Sequence, residues 1–373
     1  MDKAGASPGI FPSQLLEEAA RAEWICSDEP IRPDQVQPAS LDLRLGPVAY
    51  RVRASFLPGK HPVVERLDSL KTHQLDLSVP TVLERGCIYI VPLVERLQLP
   101  ESISARANPK SSTGRLDVFT RLITDFSREF DQVRPGYKGG LYLEIVPQTF
   151  SILVRAGTRL TQLRLMRGSP ADSDALLNAL HEEQTLVFGD EEATPEPFIS
   201  RGLWLSVDMR GGDLSEIIGY RAKPHTPLVD VDQVGAYDPR DFWDPIERPR
   251  DGQLLLNPEA FYILCSKERI RVPMTAAAEM VSYEPSVGEF RNHYAGFFDP
   301  GFGFRTDDVR GTHAVLEVRS HEVPFILEDG QHVSRLVYQT LIEPANKAYG
   351  ADLGSSYQHQ RVSLSKHFKP WEQ

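Results

Sequence analysis

The chain has 373 residues, 41% hydrophobic and 25% charged, which is ordinary globular composition at the length of two or three domains. A formal net charge of −11 argues against a nucleic-acid partner, although an anionic nucleotide needs only a local cationic pocket. Three scattered cysteines without Cys-x-x-Cys spacing exclude a disulfide framework and a cysteine-based zinc site, and point to a reducing, cytoplasmic compartment. The first twelve residues lack an apolar core of signal-peptide length and no later run could span a bilayer, so no membrane is expected as a partner.

In chain order, residues 13–24 read as a short amphipathic helix, with Ser13 as its N-cap. From Ile31 onward, Pro33, Pro38, Gly46, Pro58, Gly59, Pro62, Pro80, Gly86, Pro92 and Pro100 punctuate short runs rich in Val, Ile, Leu and Tyr. Many short strands joined by turns predict a mostly β barrel or sandwich. The stretch Lys110-Ser111-Ser112-Thr113-Gly114-Arg115 then packs two cations, three hydroxyls and a glycine into six positions. Hydroxyls and backbone N–H groups there suit phosphate oxygens, Lys110 and Arg115 suit the charge, and a helix starting here would add its amides. Strands follow at 140–146 and within 151–165. Residues 167–200, with a loop, a helical patch at 175–181 and an acidic segment at 189–197, read as a linker. Strand-type punctuation resumes after Ser200, giving domains at 1–166 and 201–373.

The second half repeats the first. Glu95-Arg96-Leu97-Gln98-Leu99-Pro100 returns as Glu268-Arg269-Ile270-Arg271-Val272-Pro273, Leu143-Glu144-Ile145 as Leu316-Glu317-Val318, and Gly157 as Gly330. The differences 268 − 95, 317 − 144 and 330 − 157 are all 173. Ser40-Leu41-Asp42-Leu43-Arg44 matches Ser206-Val207-Asp208-Met209-Arg210 at a shorter spacing. This order of matches predicts a tandem duplication. The copies have diverged: the phosphate-type stretch falls on Tyr283-Glu284-Pro285-Ser286-Val287-Gly288, without its cations, while Tyr294-Ala295-Gly296-Phe297-Phe298-Asp299-Pro300-Gly301-Phe302 is an apolar loop with one carboxylate. The first copy has Arg134 where Asp299 stands. One copy keeps phosphate groups and the other an apolar pocket, which predicts a composite site.

The Ser-Leu-Asp-Leu-Arg segment, the Lys-Ser-Ser-Thr-Gly-Arg stretch, the Ala-Gly-Phe-Phe-Asp-Pro-Gly loop and the Val-Leu-Glu strand together resemble the dCTP deaminase family, in a long form with two fused domains. The resemblance implies two tandem dUTPase-like β-barrel (jelly-roll-like) domains and zinc-independent deamination of dCTP to dUTP and ammonia, with a strand glutamate moving protons. Such a glutamate in an apolar strand would hold its proton to higher pH, as that role requires. It implies Lys110, Ser111, Ser112 and Arg115 at the phosphates, Ala295 and Asp299 at the nucleoside, and Glu317 as the catalytic residue, with Glu144 as the alternative. Tyr349, Tyr357 and Gln360 resemble the closing tail. Phe297 stands where short forms commonly carry an arginine, and Arg128 is one candidate to fill in. Mg²⁺ is expected to arrive with the triphosphate, and the assembly to be a homotrimer with six barrels, or a dimer. The resemblance leaves room for a dUTPase or a bifunctional deaminase–diphosphatase, and for a non-catalytic nucleotide sensor.

Overall fold

In a computed structural model, the structure describes residues 7–189, 196–211, 216–281, 290–292 (backbone), 296–304, 311–320, 323–350 and 361–371. Both halves are built mostly of short antiparallel strands, as period-two runs broken by proline and glycine require. In the first half, Ile88–Gln98 pairs with Lys138–Pro147, and Ile103–Pro109 with Thr161–Arg167. The second half repeats this: Phe261–Ile270 pairs with Thr312–Ser320, and Ala276–Met280 with His332–Thr340. Individual partners correspond. Glu144 lies opposite Ile90 and Glu317 opposite Ile263; Ala105 lies opposite Leu165 and Ala278 opposite Tyr338. The two mostly β barrels therefore share one register through their central strands.

The repeat at its front end differs from the sequence match. Leu41, Asp42 and Leu43 pair with Leu163, Gln162 and Thr161, while the equivalent later strand pairs Leu336, Arg335 and Ser334 with Leu203, Trp204 and Leu205. Asp42 thus corresponds to Trp204 rather than Asp208, and Arg44 to Ser206. Register follows which residues must face the core, and a local likeness in residue type does not override it. A carboxylate that ties down the front strand is what both copies keep. Glu95 accepts the backbone N–H of Arg44 at 2.8 Å and its Nε at 2.7 Å; Glu268 accepts the backbone N–H of Ser206 at 2.8 Å and its hydroxyl at 2.5 Å.

Two further expectations are corrected. Ser13 is the first helical residue of Ser13–Arg21 rather than its cap; Pro12 holds the cap position, and the Ser13 hydroxyl donates to Asn346 at 2.6 Å. Much of the expected linker packs with the second barrel. The helix Asp174–Gln184, capped where the Ser173 hydroxyl accepts from the Leu176 N–H, buries Leu177 and Leu180 there. Val187–Phe188 adds a strand beside Phe261–Ile270. Apolar residues three apart on one helical face are the reason.

The halves are fused by a common core. Tyr220, Trp243, Phe261, Val315 and Phe368 of the second half belong to the main cluster of the first. The second half's Val229–Asp230 also pairs in parallel with Ile152–Val154. Among the described residues, no helix is long and apolar enough to cross a membrane.

Candidate active site

Strand alternation decides where each candidate glutamate points. On Thr312–Ser320, Ala314, Leu316 and Val318 enter the second core, while Val315 joins the first half's core. Glu317 shares the Val315 face and is turned to the seam between the barrels. On Lys138–Pro147, Leu141, Leu143 and Ile145 enter the first core. Glu144 is on the Tyr142 face, where Tyr142 packs on the cluster of Val52, Val63, Leu67, Ile90 and Ile123. Two of those residues, Val63 and Leu67, come from the helix Val63–Leu70, so the first barrel covers its own glutamate.

The phosphate-type stretch forms a single helical turn, Ser111–Gly114, with Lys110 extended before it and Arg115 just after. Arg115 is buried at the seam, its Nε 3.9 Å from Glu317 Oε1. Two residues on along both segments, Arg319 pairs with Asp117 and donates to Thr149 at 3.0 Å. These two opposite-charge pairs fix one barrel against the other at the carboxylate. Lys110 pairs with Asp42, which also faces Arg159 at 3.8 Å. Asp42 therefore braces a lysine as well as an arginine, while Asp208 pairs with Arg361.

The end of the described chain straps this stretch. Arg115 Nη1 donates to the Ser363 carbonyl at 3.1 Å, and Ser365 Oγ lies 2.8 Å from the Ser112 carbonyl. His367 Nε2 is 2.9 Å from the Val231 carbonyl, and burial pushes its pKa down to about 4, so it is neutral. The strap carries Lys366 into the cleft, its pKa lowered by burial and by Lys110.

On the second-barrel side, Phe297–Phe298 pairs with Ala276–Met280 and leads to Asp299. Gln132–Val133 pairs with Ile103–Pro109 at the matching positions, so Arg134 does stand where Asp299 stands. The turn needs its glycine: Gly301 has φ +91°, and a Cβ there would meet the Tyr349 nitrogen at 2.7 Å. Tyr349 packs on Phe302, with ring centroids 5.5 Å apart. The Asp299 carboxylate is buried, with Oδ1 2.9 Å from Arg164 Nη2 and Oδ2 3.2 Å from the Ser40 hydroxyl. The Arg164 guanidinium carbon lies over the Phe297 ring, 3.8 Å from its centroid. The cation beside Phe297 is thus Arg164; Arg128 is exposed on the first barrel. Ala295, Tyr357 and Gln360 lie outside the described residues.

These groups line one connected cleft. Its inner part, about 40 Å³, is bounded by Lys110, Ser111, Arg115, Phe297, Asp299, Glu317 and Tyr349. The outer part, about 540 Å³, is bounded by Lys110, Ser111, Ser112, Asp299 and Tyr349, with Arg32, Arg155, Arg159, Gln162 and Lys366 added. That volume is typical of a small-molecule site. Lys110, Ser111 and Arg115 of the first barrel thus meet Asp299 and Glu317 of the second within one chain. Burial raises the Glu317 pKa to about 8, opposed by Arg115. Glu144 is also raised by burial but lines neither part. A carboxyl that holds its proton near neutral pH beside a fixed cation can give and take protons.

A mostly β, two-barrel chain with an outer cleft rich in both charges and an inner pocket where two carboxyls, Asp299 and Glu317, meet aromatic rings and Arg115 is a nucleotide-binding enzyme in form. Models of the dCTP deaminase N-terminal and C-terminal domains match residues 7–169 and 173–368. The chain belongs to the dCTP deaminase family. The crystal structure of 2′-deoxycytidine 5′-triphosphate deaminase from Agrobacterium tumefaciens is similar, with 50% identity and a TM-score of 0.86 over 91% of this chain and 99% of that one. A dUMP-forming dCTP deaminase of Acidothermus cellulolyticus is 29% identical over 146 residues, 39% of this chain and 73% of its own length. A dCTP deaminase of Halorubrum lacusprofundi is 28% identical over 159 residues, 41% of this chain and 74% of its own.

Proposed function

We propose that this dCTP deaminase adds water to dCTP and releases dUTP and ammonia, with Glu317 carrying the protons. The observation that carries the reading is the single-chain cleft in which Glu317, its pKa near 8, lies 3.9 Å from Arg115 and shares the lining with Lys110, Ser111 and Asp299. Glu317 starts protonated and gives its proton to the ring nitrogen. The carboxylate, stabilised by Arg115, then takes a proton from water as the oxygen attacks C4 and passes it to the departing amine; as ammonia leaves, the C4 hydroxyl gives its proton back to Glu317 and becomes the carbonyl of dUTP. Ser111 and Ser112 join Lys110 and Arg115 at the triphosphate, and Asp299 accepts a hydrogen bond from the nucleoside. Glu144, covered by its own barrel, has no part.

This reading uses no zinc, because the Cys-x-x-Cys element of zinc deaminases is missing from the sequence. Magnesium belongs with the nucleotide. Among the described residues, Arg32, Lys110, Arg155, Arg159 and Lys366 line the outer cleft against Asp34, Asp42, Asp232 and Asp299. That near-balance leaves most triphosphate charge for a metal riding on the phosphates, while Asp42 is already taken by Lys110 and Arg159.

A second reading, hydrolysis onward to dUMP, is favoured by the dUMP-forming relatives. The test of both is product analysis: equal ammonia and dUTP from dCTP support deamination alone, and dUMP with pyrophosphate supports the longer reaction. Tight dCTP binding without ammonia would leave only a nucleotide sensor.

For assembly we infer a homo-oligomer, a homotrimer or a dimer. Ile152–Val154 has neighbours on both edges, but its counterpart Phe325–Glu328 pairs only with Gln253–Leu256 among the described residues. Leu255 and Ile326, opposite each other there, are about half exposed. A second copy covering this edge would complete the pattern. Leu255→Glu is expected to lower the mass seen by light scattering; an unchanged mass would remove this face from the interface.

A further inference from the structure

One strand of the first barrel reaches into the nucleoside half of the cleft. On Thr161–Arg167, Leu163 and Leu165 turn into the first core, so Gln162 and Arg164 turn toward the second barrel. Arg164 is fully buried, a costly place for a guanidinium unless its partners are well placed. Its partners all belong to the second barrel: the Asp299 carboxylate at 2.9 Å, the Ala278 carbonyl at 3.3 Å, and the face of Phe297. Asp299 and Phe297 both line the inner and outer cleft, whereas Arg164 lines neither.

We propose that Arg164 is a positioning residue: from the phosphate-side barrel it holds the Asp299 carboxylate as an aimed hydrogen-bond acceptor and Phe297 as a flat wall for the nucleoside. This deepens the proposed function and rests on it. One face of the guanidinium stacks on the ring while an edge nitrogen binds the acid, a geometry lysine cannot copy. The groups facing Asp299 are Arg164, the Ser40 hydroxyl and, repelling it, Asp42. Among these Arg164 alone opposes the burial that pushes Asp299 toward its protonated form by placing a positive charge beside it.

The test is steady-state kinetics with dCTP from pH 6 to 9. In R164M, Asp299 loses the cation that opposes its burial and is pushed further toward its protonated form. The KM is expected to rise on the order of tenfold or more at pH 6.5 and to recover as pH rises, with kcat changing less. R164K keeps the charge but not the stack: its KM rises without the added pH dependence. D299N raises KM at every pH, and adding R164M to it costs little more. A KM for R164M equal to wild type, a rise independent of pH, or full additivity with D299N would overturn the proposal. If R164M does not fold, R164K and D299N decide the matter: a wild-type KM in either overturns it. Calorimetric dCTP affinity of the same variants separates the two readings: wild-type chain that binds dCTP but releases no ammonia defeats the proposed reaction, while the pattern of affinities still tests Arg164.

Discussion

Glu317→Gln is expected to cut ammonia release from dCTP by about 10⁴-fold, the upper end for loss of a general acid–base group, while dCTP still binds. Glu144→Gln should retain activity within a few-fold, because that side chain faces its own barrel's cluster. Reversal of the two results would transfer the catalytic role to Glu144. Wild-type kcat/KM should fall above about pH 8 as the Glu317 proton is lost; a rise through pH 8 would mean the ionised form starts the reaction. The same group predicts a stability effect of definite sign. Its pKa is raised from 4.5 to about 8 on folding, so the unfolded chain gives up the proton first. Wild-type stability is therefore lost progressively as pH rises from about 4.5 to 8, relative to Glu317→Gln. The melting-temperature gain of the variant should be larger at pH 8 than at pH 5.

Arg115→Met is expected to lower kcat/KM by about 10³-fold, in line with removal of one fixed electrostatic group from a closed site. In the proposed reaction Arg115 serves two ends, facing Glu317 at 3.9 Å and belonging to the stretch proposed for the phosphates. Without its charge the Glu317 proton is held more tightly, so the alkaline limb of the residual activity should move to higher pH. An unchanged limb would show that Arg115 acts on the phosphates alone. The variant also loses its bond to the Ser363 carbonyl, so limited proteolysis should cut the terminal strap faster than in wild type.

The outline of this site was legible because catalytic chemistry clusters in short runs. The hydroxyl-rich turn at 110–115, the Asp-Pro-Gly loop and the duplicated strand glutamates each announce a function by residue type, and the loss of cations from the second copy signals that the copies are unequal. What escaped depends on direction and register. Arg164 sits in a run, Thr-Gln-Leu-Arg-Leu-Met-Arg, that reads as an unremarkable strand; alternation from Leu163 and Leu165 only turns it away from its own core, and only the fold reveals Asp299 of the second barrel beside it. Arg155 and Arg159, on one turn, and Lys366, near the other end of the chain, belong to two separate segments that meet only in the fold. The front-end repeat failed for a related reason: Ser-Leu-Asp-Leu-Arg and Ser-Val-Asp-Met-Arg share letters, but Leu203–Ser206 occupies the place of the first strand. The helix at 174–184 was visible as a patch, but its membership of the second core lies in contacts that no local window contains.

The fused core that joins the barrels changes what dilution does. Arg115 of the first barrel and Glu317 of the second meet across a seam that one polypeptide builds. A centre assembled between separate chains empties as concentration falls, because its halves obey mass action. Here the tether sets a fixed local concentration of one half for the other, so the approach of Arg115 to Glu317 does not weaken on dilution.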